Sequence, residues 1–93
     1  MKDEVFKALA DPTRRRILRM LGDGELSAGE IAAHFPISAP SMSHHFAALK
    51  AADLIDGRRV GQQIVYSLNT TVAQDLLAFV LDLLAPKPSE ETP

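Results

Sequence analysis

The segment PISAPSMSHHFAALK, residues 36–50, decides the fold because it describes one helix with two unlike sides. Met42, Phe46 and Leu49 recur at helical spacing and form an apolar side suited to burial. The opposite side consists of small and short polar residues around His44. Since short side chains let a helix come close to base edges, this pattern is typical of a helix that lies in the major groove of DNA.

Start and stop signals predict the bounds of this recognition helix. Ser38 is a favoured N-cap residue, Pro40 fits the first turn, and the helix should extend to about Ala52. Pro36 and Ile37 then form the turn that separates this helix from the one before it. The segment therefore predicts the second half of a helix-turn-helix.

The preceding residues predict three further helices. Asp11 followed by Pro12 has the character of an N-cap and a first helical position, and Gly22 marks the end of that helix. Ser27 and Glu30 have the spacing of a capping box, which predicts a short third helix that closes before the turn. A short helix at the start of the chain completes the set.

Beyond Ile55 the apolar spacing changes to alternation, as in Ile64, Tyr66 and Leu68, which predicts β-strands. Val60-Gly61 is predicted to supply the turn of a hairpin. Four helices, a hairpin of two strands and a last helix give a mainly α domain with a small β element. This arrangement is the winged helix-turn-helix.

The last helix, predicted from Thr70 or Thr71 to Leu84, is apolar on nearly every side. A surface helix needs only one apolar stripe, so the excess predicts a second partner surface, which we assign to another copy of the chain. A chain of 93 residues also buries a limited core, which favours association. The predicted homodimer surface comprises Val5, Phe6, Leu9, Leu76, Leu77, Phe79, Val80, Leu83 and Leu84.

Composition and charge limit the possible functions. The chain has no cysteine, which excludes disulfides and thiolate chemistry, and its longest apolar run is too short to span a bilayer. We expect a cytoplasmic protein without direct membrane insertion, folded over residues 1–85 and disordered over residues 86–93. The net charge of −2 argues against nucleic acid as a partner, but Lys50, Arg58 and Arg59 stand against only Asp53 and Asp56 in the middle of the chain. This modest excess of positive charge predicts strongly salt-sensitive binding that is not indiscriminately tight.

Two groups of residues are candidate DNA contacts, because their side chains can hydrogen-bond bases or phosphates in a groove. The recognition-helix group comprises Pro40, Ser41, Ser43, His44, His45 and Lys50. The wing group, beside the hairpin turn, comprises Arg58, Arg59, Gln62 and Gln63. Alternatives remain open: the serines can be ordinary surface residues, Ser43 and His45 can pack or cap locally, and the wing can be a solvated hairpin tip.

Other polar clusters have different interpretations. Arg14 shares a side with the apolar residues of its helix, which predicts a structural residue paired with a carboxylate, whereas Arg16 is a secondary candidate for phosphate contact. Adjacent histidines on a helix point about 100° apart and cannot easily chelate one ion, so no metal or other cofactor is expected. The serines and histidines also lack a glycine-rich elbow and an orienting carboxylate, which argues against an enzyme.

Three motifs, in this order, resemble the ArsR/SmtB family of winged-helix repressors: Asp11-Pro12-Thr13-Arg14, Ser43-His44-His45-Phe46 with Leu49, and Arg59-Val60-Gly61 leading to Tyr66-Ser67-Leu68. The resemblance covers roughly residues 5–84. It implies a dimer, paired through its first and last helices, that represses promoters by occupying operator DNA.

The chain departs from the metal-sensing members of that family. It has no cysteine at residues 25–30, and no histidine accompanies Asp75 and Asp82 on the last helix. Residues 38–45 and 69–75 resemble the metal-independent, SdpR-like subgroup of autorepressors. That resemblance implies regulation of its own operon, with release through a membrane protein or another protein antagonist.

We therefore predict a homodimeric repressor that recognises a near-palindromic operator in double-stranded DNA. Two alternatives remain open. One is a winged-helix module that binds another protein, which the acidic balance favours. The other is a repressor that senses metal through an unusual site built from His34, Asp75 or Asp82.

Overall fold

The computed structural model describes residues 2–86, which form five α-helices and three short β-strands. In chain order the elements are α1 (Asp3–Leu9), α2 (Pro12–Leu21), β1 (Leu26–Ser27), α3 (Ala28–Ala32), α4 (Ala39–Ala51), β2 (Ile55–Val60), β3 (Gln63–Leu68) and α5 (Thr70–Leu84). The predicted winged helix-turn-helix is confirmed, with β1 as an additional strand. Of the tail predicted over residues 86–93, all but the first residue lies outside the described part of the chain.

Local capping fixes where the helices begin, as the sequence predicted. Asp11 Oδ2 accepts a backbone N–H in the first turn of α2 at 3.0 Å. Ser27 and Glu30 form a reciprocal capping box at α3, with hydrogen bonds of 2.8 and 3.1 Å. Ser38 Oγ accepts a backbone N–H of α4 at 3.3 Å. Each cap satisfies a helix donor that would otherwise lack a partner, which typically stabilises by about 1 kcal/mol.

The core lies between the first four helices and one face of the sheet. The apolar side of α4 predicted from the sequence is buried in it, since Met42, Phe46 and Leu49 are at most 6% exposed. The complete set of buried apolar residues is Val5, Ala8, Ile17, Leu21, Ile31, Met42, Phe46, Leu49, Ala52, Leu54, Ile55 and Tyr66. None of these residues belongs to α5, which contributes only half-buried side chains such as Val72 at the edge of the core.

The sheet is antiparallel in the order β1-β3-β2, and its hairpin turn lies one residue later than predicted. Val60 still pairs with Gln63, so the two-residue loop is Gly61-Gln62 rather than Val60-Gly61. Gly61 has a φ of +62°, a conformation that glycine adopts freely and that a β-branched valine avoids. This preference keeps Val60 in the strand.

Strand β1 was not predicted from the sequence, because a strand of two residues is too short to show an alternating apolar pattern. It exists through its partner, with Leu26 opposite Tyr66 and Ser27 opposite Val65. Within residues 2–86, no helix combines the length and the apolar character needed to cross a membrane.

Candidate nucleic-acid interface

Helix α4 exposes all of the predicted recognition-helix contacts except His45. The exposed candidates are Pro40, Ser41, Ser43, His44 and Lys50. The hydroxyl of Ser38 donates to Ser41 Oγ at 3.0 Å, which holds the Ser41 hydroxyl at the N-terminus of the helix. The exposed side thus presents hydroxyl and imidazole groups on short side chains, as the sequence indicated.

His45 turns toward the interior, away from this exposed side. Its side chain is 14% exposed, and its Nδ1 atom lies 3.3 Å from a terminal guanidinium nitrogen of Arg14 on α2. The sequence left DNA contact and local packing open for this residue. Its position favours local packing over the predicted DNA contact, because the ring is largely buried and faces α2.

A groove of about 350 Å³ joins the exposed side of α4 to the sheet. Ser43, Ala47 and Lys50 line it from α4, and Ile64 and Tyr66 line it from β3. The recognition helix and the wing are therefore two walls of one concave surface. Such a surface can follow the convex backbone of a duplex beside the major groove.

Aromatic stacking fixes the wing against the recognition helix. The rings of Phe46 on α4 and Tyr66 on β3 stack with centroids 4.7 Å apart and planes inclined by 29°. Burial raises the pKa of Tyr66, so its hydroxyl stays protonated well beyond neutral pH. Opposite this ring stands Gly57, where a Cβ atom would come within 3.0 Å of Tyr66 Cε1. A larger residue there would crowd the Tyr66 ring that stacks on Phe46.

One of the two wing arginines is already paired. Arg58 donates to both carboxylate oxygens of Glu25 at 2.7 and 2.6 Å, across the central strand of the sheet. This ion pair lowers the pKa of Glu25 and raises the pKa of Arg58. The predicted phosphate contact of Arg58 is thus opposed in the free chain by a carboxylate partner 33 positions away.

Arg59 is the wing cation that faces the groove. It is exposed and pairs across the hairpin with Ile64, which lines the groove, and paired residues of neighbouring strands point to the same face. Gln62 and Gln63 are exposed at the hairpin tip. Arg59, together with Lys50 on α4, brings positive charge to the concave surface.

The guanidinium groups of α2 serve local structure. Arg14 donates to the carbonyl oxygens of Ala8 and Lys7 at 3.0 and 3.1 Å, while only its backbone N–H bonds the Asp11 carboxylate. The predicted structural role is right, and the predicted carboxylate pairing is corrected: the guanidinium binds the last carbonyls of α1. Arg16, the secondary candidate for phosphate contact, lies 4.8 Å from the ring centroid of Phe35 in a cation–π contact.

The predicted dimer residues divide into buried and exposed sets. Val5 is 1% exposed and belongs to the core of its own chain, which corrects its assignment to the dimer surface. Leu9 and Leu76 are half-buried. The exposed members are Phe6, Leu77, Phe79, Val80, Leu83 and Leu84, with exposed fractions from 40% to 76%.

The exposed apolar residues form a continuous surface on α1 and α5. The rings of Phe6 and Phe79 meet edge to face with centroids 6.0 Å apart, so this pair joins the two helices. Around it, α5 exposes leucine and valine side chains in most directions. We call this set of exposed residues the α1–α5 surface.

Among residues 2–86, no group of three histidine or acidic side chains is arranged to hold a metal ion. His34 lies beside Asp23 and Glu25 along an open pocket of about 290 Å³, outside the concave surface. Glu25 itself has no recognisable signal in the sequence, since its partner Arg58 comes from a distant strand.

The fold and part of the sequence have known relatives. Residues 9–58 match a family described as a helix-turn-helix domain. The chain is 54% identical over 82 residues to the transcriptional repressor SdpR of Bacillus subtilis (strain 168). This alignment covers 88% of this chain and 91% of that protein. It is 40% identical over 65 residues to the arsenical resistance operon repressor of Staphylococcus xylosus, which covers 70% of this chain and 62% of that protein.

Solved structures agree with these sequence relatives. An ArsR-like transcriptional regulator from Rhodococcus sp. RHA1 superposes with a TM-score of 0.78 at 31% sequence identity. The superposition covers 86% of this chain and 73% of that chain. It includes the helix-turn-helix matched by the family and extends beyond it.

Proposed function

Because the chain belongs to the ArsR family of winged-helix transcriptional repressors, we propose that two copies of it bind a near-palindromic operator in double-stranded DNA and block transcription there. The relatives are transcriptional regulators and not enzymes. The observation that carries the proposal is the concave surface formed by the exposed side of α4, the groove beside it and the wing.

The residue types on this surface suit specific contacts. We expect His44 and Ser41, which are exposed in the N-terminal half of α4, to read base edges or to bind flanking phosphates. Arg59 and Lys50 supply the positive charge for backbone contacts beside them. Since Arg58 is held by Glu25, few free cations remain, which favours specific binding over general attraction to DNA.

The α1–α5 surface supports the dimer in this proposal. Apolar side chains such as Leu77 and Leu83, each more than half exposed, favour burial against a second copy. A two-fold axis through this surface would set two α4 helices about 34 Å apart, one turn of DNA, so that both enter major grooves on one face. An operator that fits such a dimer is an inverted repeat.

The likeness to a repressor at 54% identity extends the proposal to the source of the signal. We assign the operator to the chain's own operon and the release from DNA to a protein antagonist, for example one held in a membrane.

Selection of bound duplexes from a random library, followed by a salt titration on the enriched sequence, tests the proposal. We expect an inverted repeat with half-sites one helical turn apart, and an affinity that falls steeply as salt increases. A duplex of the same composition in scrambled order is the control for general attraction to phosphate.

The opposite result has a clear meaning. If a folded, dimeric protein enriches no sequence, operator binding is wrong. The interpretation as a module that binds another protein would then take its place.

A further inference from the structure

The inward-facing histidine of α4 belongs to a cluster that connects three helices. His45 Nδ1 lies 3.3 Å from Nη1 of Arg14 and 3.9 Å from Oδ2 of Asp11. The remaining donors of the Arg14 guanidinium bond the carbonyl oxygens of Ala8 and Lys7. One side chain thus holds the C-terminal turn of α1, the start of α2 and the middle of α4.

The contact with Arg14 requires one tautomer of the imidazole. A guanidinium can only donate hydrogen bonds, so the nitrogen of His45 that faces Arg14 must accept if this bond forms. The distance to the Asp11 carboxylate, 3.9 Å, is too long for a hydrogen bond. The bond from Arg14 therefore needs the lone pair of Nδ1, with the ring proton on Nε2.

The cluster also reaches the surface proposed for the second copy. Helix α1 buries Val5 and Ala8 in the core, and its exposed Phe6 contacts Phe79 of α5. The Arg14 guanidinium donates hydrogen bonds to the carbonyl oxygens of Ala8 and Lys7, near the C-terminal end of this same helix. Helix α1 also packs directly on α4, and the hydrogen bond between Arg14 and His45 adds a polar link between the α1–α5 surface and the recognition helix.

We propose that His45 is a positioning residue: through Arg14 it fixes the direction of the recognition helix relative to the α1–α5 surface, and it contacts no DNA itself. This inference rests on the proposed function. In a dimer, a small rotation of α4 displaces both reading helices from their half-sites. Nonspecific contacts to phosphate tolerate such a rotation, because they require no exact register.

Two substitutions of similar polarity separate this role from others. In His45→Asn the amide oxygen takes the place of Nδ1 and can still accept from Arg14, whereas in His45→Gln it lies one atom further out. We expect His45→Gln to bind the selected operator about tenfold more weakly, the value of one hydrogen bond to a charged donor. His45→Asn should stay within about threefold of the unmodified chain by the same reasoning.

Three controls distinguish a loss of operator recognition from a loss of folding or of dimer formation. Binding to a scrambled duplex should be equal in all variants, and thermal unfolding and dimer mass should show that each variant is folded and paired. His34→Gln makes the same chemical change at an exposed histidine outside the concave surface, and should leave operator affinity unchanged. Equal losses in His45→Asn and His45→Gln, or no loss in either, would overturn the proposal.

A second measurement does not depend on DNA. Nitrogen-15 NMR of the imidazole side chains in the free protein should show an unprotonated Nδ1 and a protonated Nε2 for His45. A proton on Nδ1 would remove the acceptor and with it the bond to Arg14. If the unmodified chain enriches no operator, the proposed function fails and the positioning role falls with it, whereas the NMR result still decides whether the bond exists.

Discussion

Helices α4 and α5 are similar in length, with 13 and 15 residues, yet their surroundings are opposite. Helix α4 buries Met42, Phe46 and Leu49 within its own chain and leaves a polar side exposed. Helix α5 is the more apolar of the two, yet it buries no residue at all. The chain thus buries the apolar side of α4 within itself, whereas the apolar surface of α5 stays exposed in the single chain.

The exposed side of each helix indicates what kind of partner it suits. A polar exposed side on a well-anchored helix suits a charged, hydrated ligand such as DNA. An apolar exposed side suits another protein surface, since its burial is favourable by roughly 25 cal/mol per Å². Substitutions on the buried side of α4 should accordingly lower stability, and substitutions on α5 should weaken assembly. Substitutions on the exposed side of α4 and on the wing should weaken DNA recognition.

The largest effect is expected from Leu49→Ala on the buried side of α4. Leu49 is 0% exposed, and replacing a buried leucine by alanine usually costs about 2–5 kcal/mol. For a domain of this size such a loss is a large part of the total stability. Chemical denaturation should show a strongly lowered midpoint, and Ala48→Gly, on the same helix but half-buried, should cost only about 1 kcal/mol.

Leu83→Glu tests the partner of α5. The side chain is 59% exposed in the single chain, so the substitution should leave the fold intact while placing a charge in the proposed dimer contact. We expect a monomer by sedimentation and a loss of about 100-fold in operator affinity, because the two half-sites are no longer bound together. Gln74→Glu adds the same charge at an exposed polar residue of α5 and serves as the matched control. A dimeric Leu83→Glu variant would show that α5 does not form the contact.

His44→Ala tests the exposed side of α4. We expect about tenfold weaker operator binding, since a good contact to a base edge contributes about 1–3 kcal/mol of discrimination. Thermal unfolding and dimer mass should be unchanged, because the side chain is exposed. His34→Ala is the matched control. Unaltered operator affinity in His44→Ala would remove this residue from the interface.

Arg59→Ala should have the smallest effect, and its signature is salt dependence. Loss of one phosphate contact should weaken binding to all sequences by a similar factor and reduce the slope of log affinity against log salt by about 1. Arg19→Ala removes the same charge from an exposed position on α2, and its slope should stay that of the unmodified chain. Equal slopes for both variants would count against the wing as a phosphate contact.

The sequence predicted those features that depend on neighbouring residues. The N-caps at Asp11, Ser27 and Ser38 and the apolar side of α4 are local patterns, and the structure has all of them. Strand β1 and the ion pair of Glu25 with Arg58 depend on residues more than 30 positions apart. No local pattern indicates such contacts.

The orientation of the His45 side chain is another feature of the candidate site that neighbouring residues could not predict. On a helical wheel this residue lies at the flank, where DNA contact and packing are equally compatible with its position. Only the approach of Arg14, 31 positions away, decides between them. Burial of Val5 in the chain's own core likewise depends on how α1 packs, which its short pattern does not specify.

Gly57 determines how the hairpin meets α4. A Cβ atom there would come within 3.0 Å of Tyr66 Cε1, and the Tyr66 ring in turn stacks on Phe46 of α4. Because this ring joins the base of the wing to the recognition helix, we expect the two to move as one body. Under the proposed function, an operator would then keep a constant number of base pairs between the stretch under α4 and the stretch under the wing.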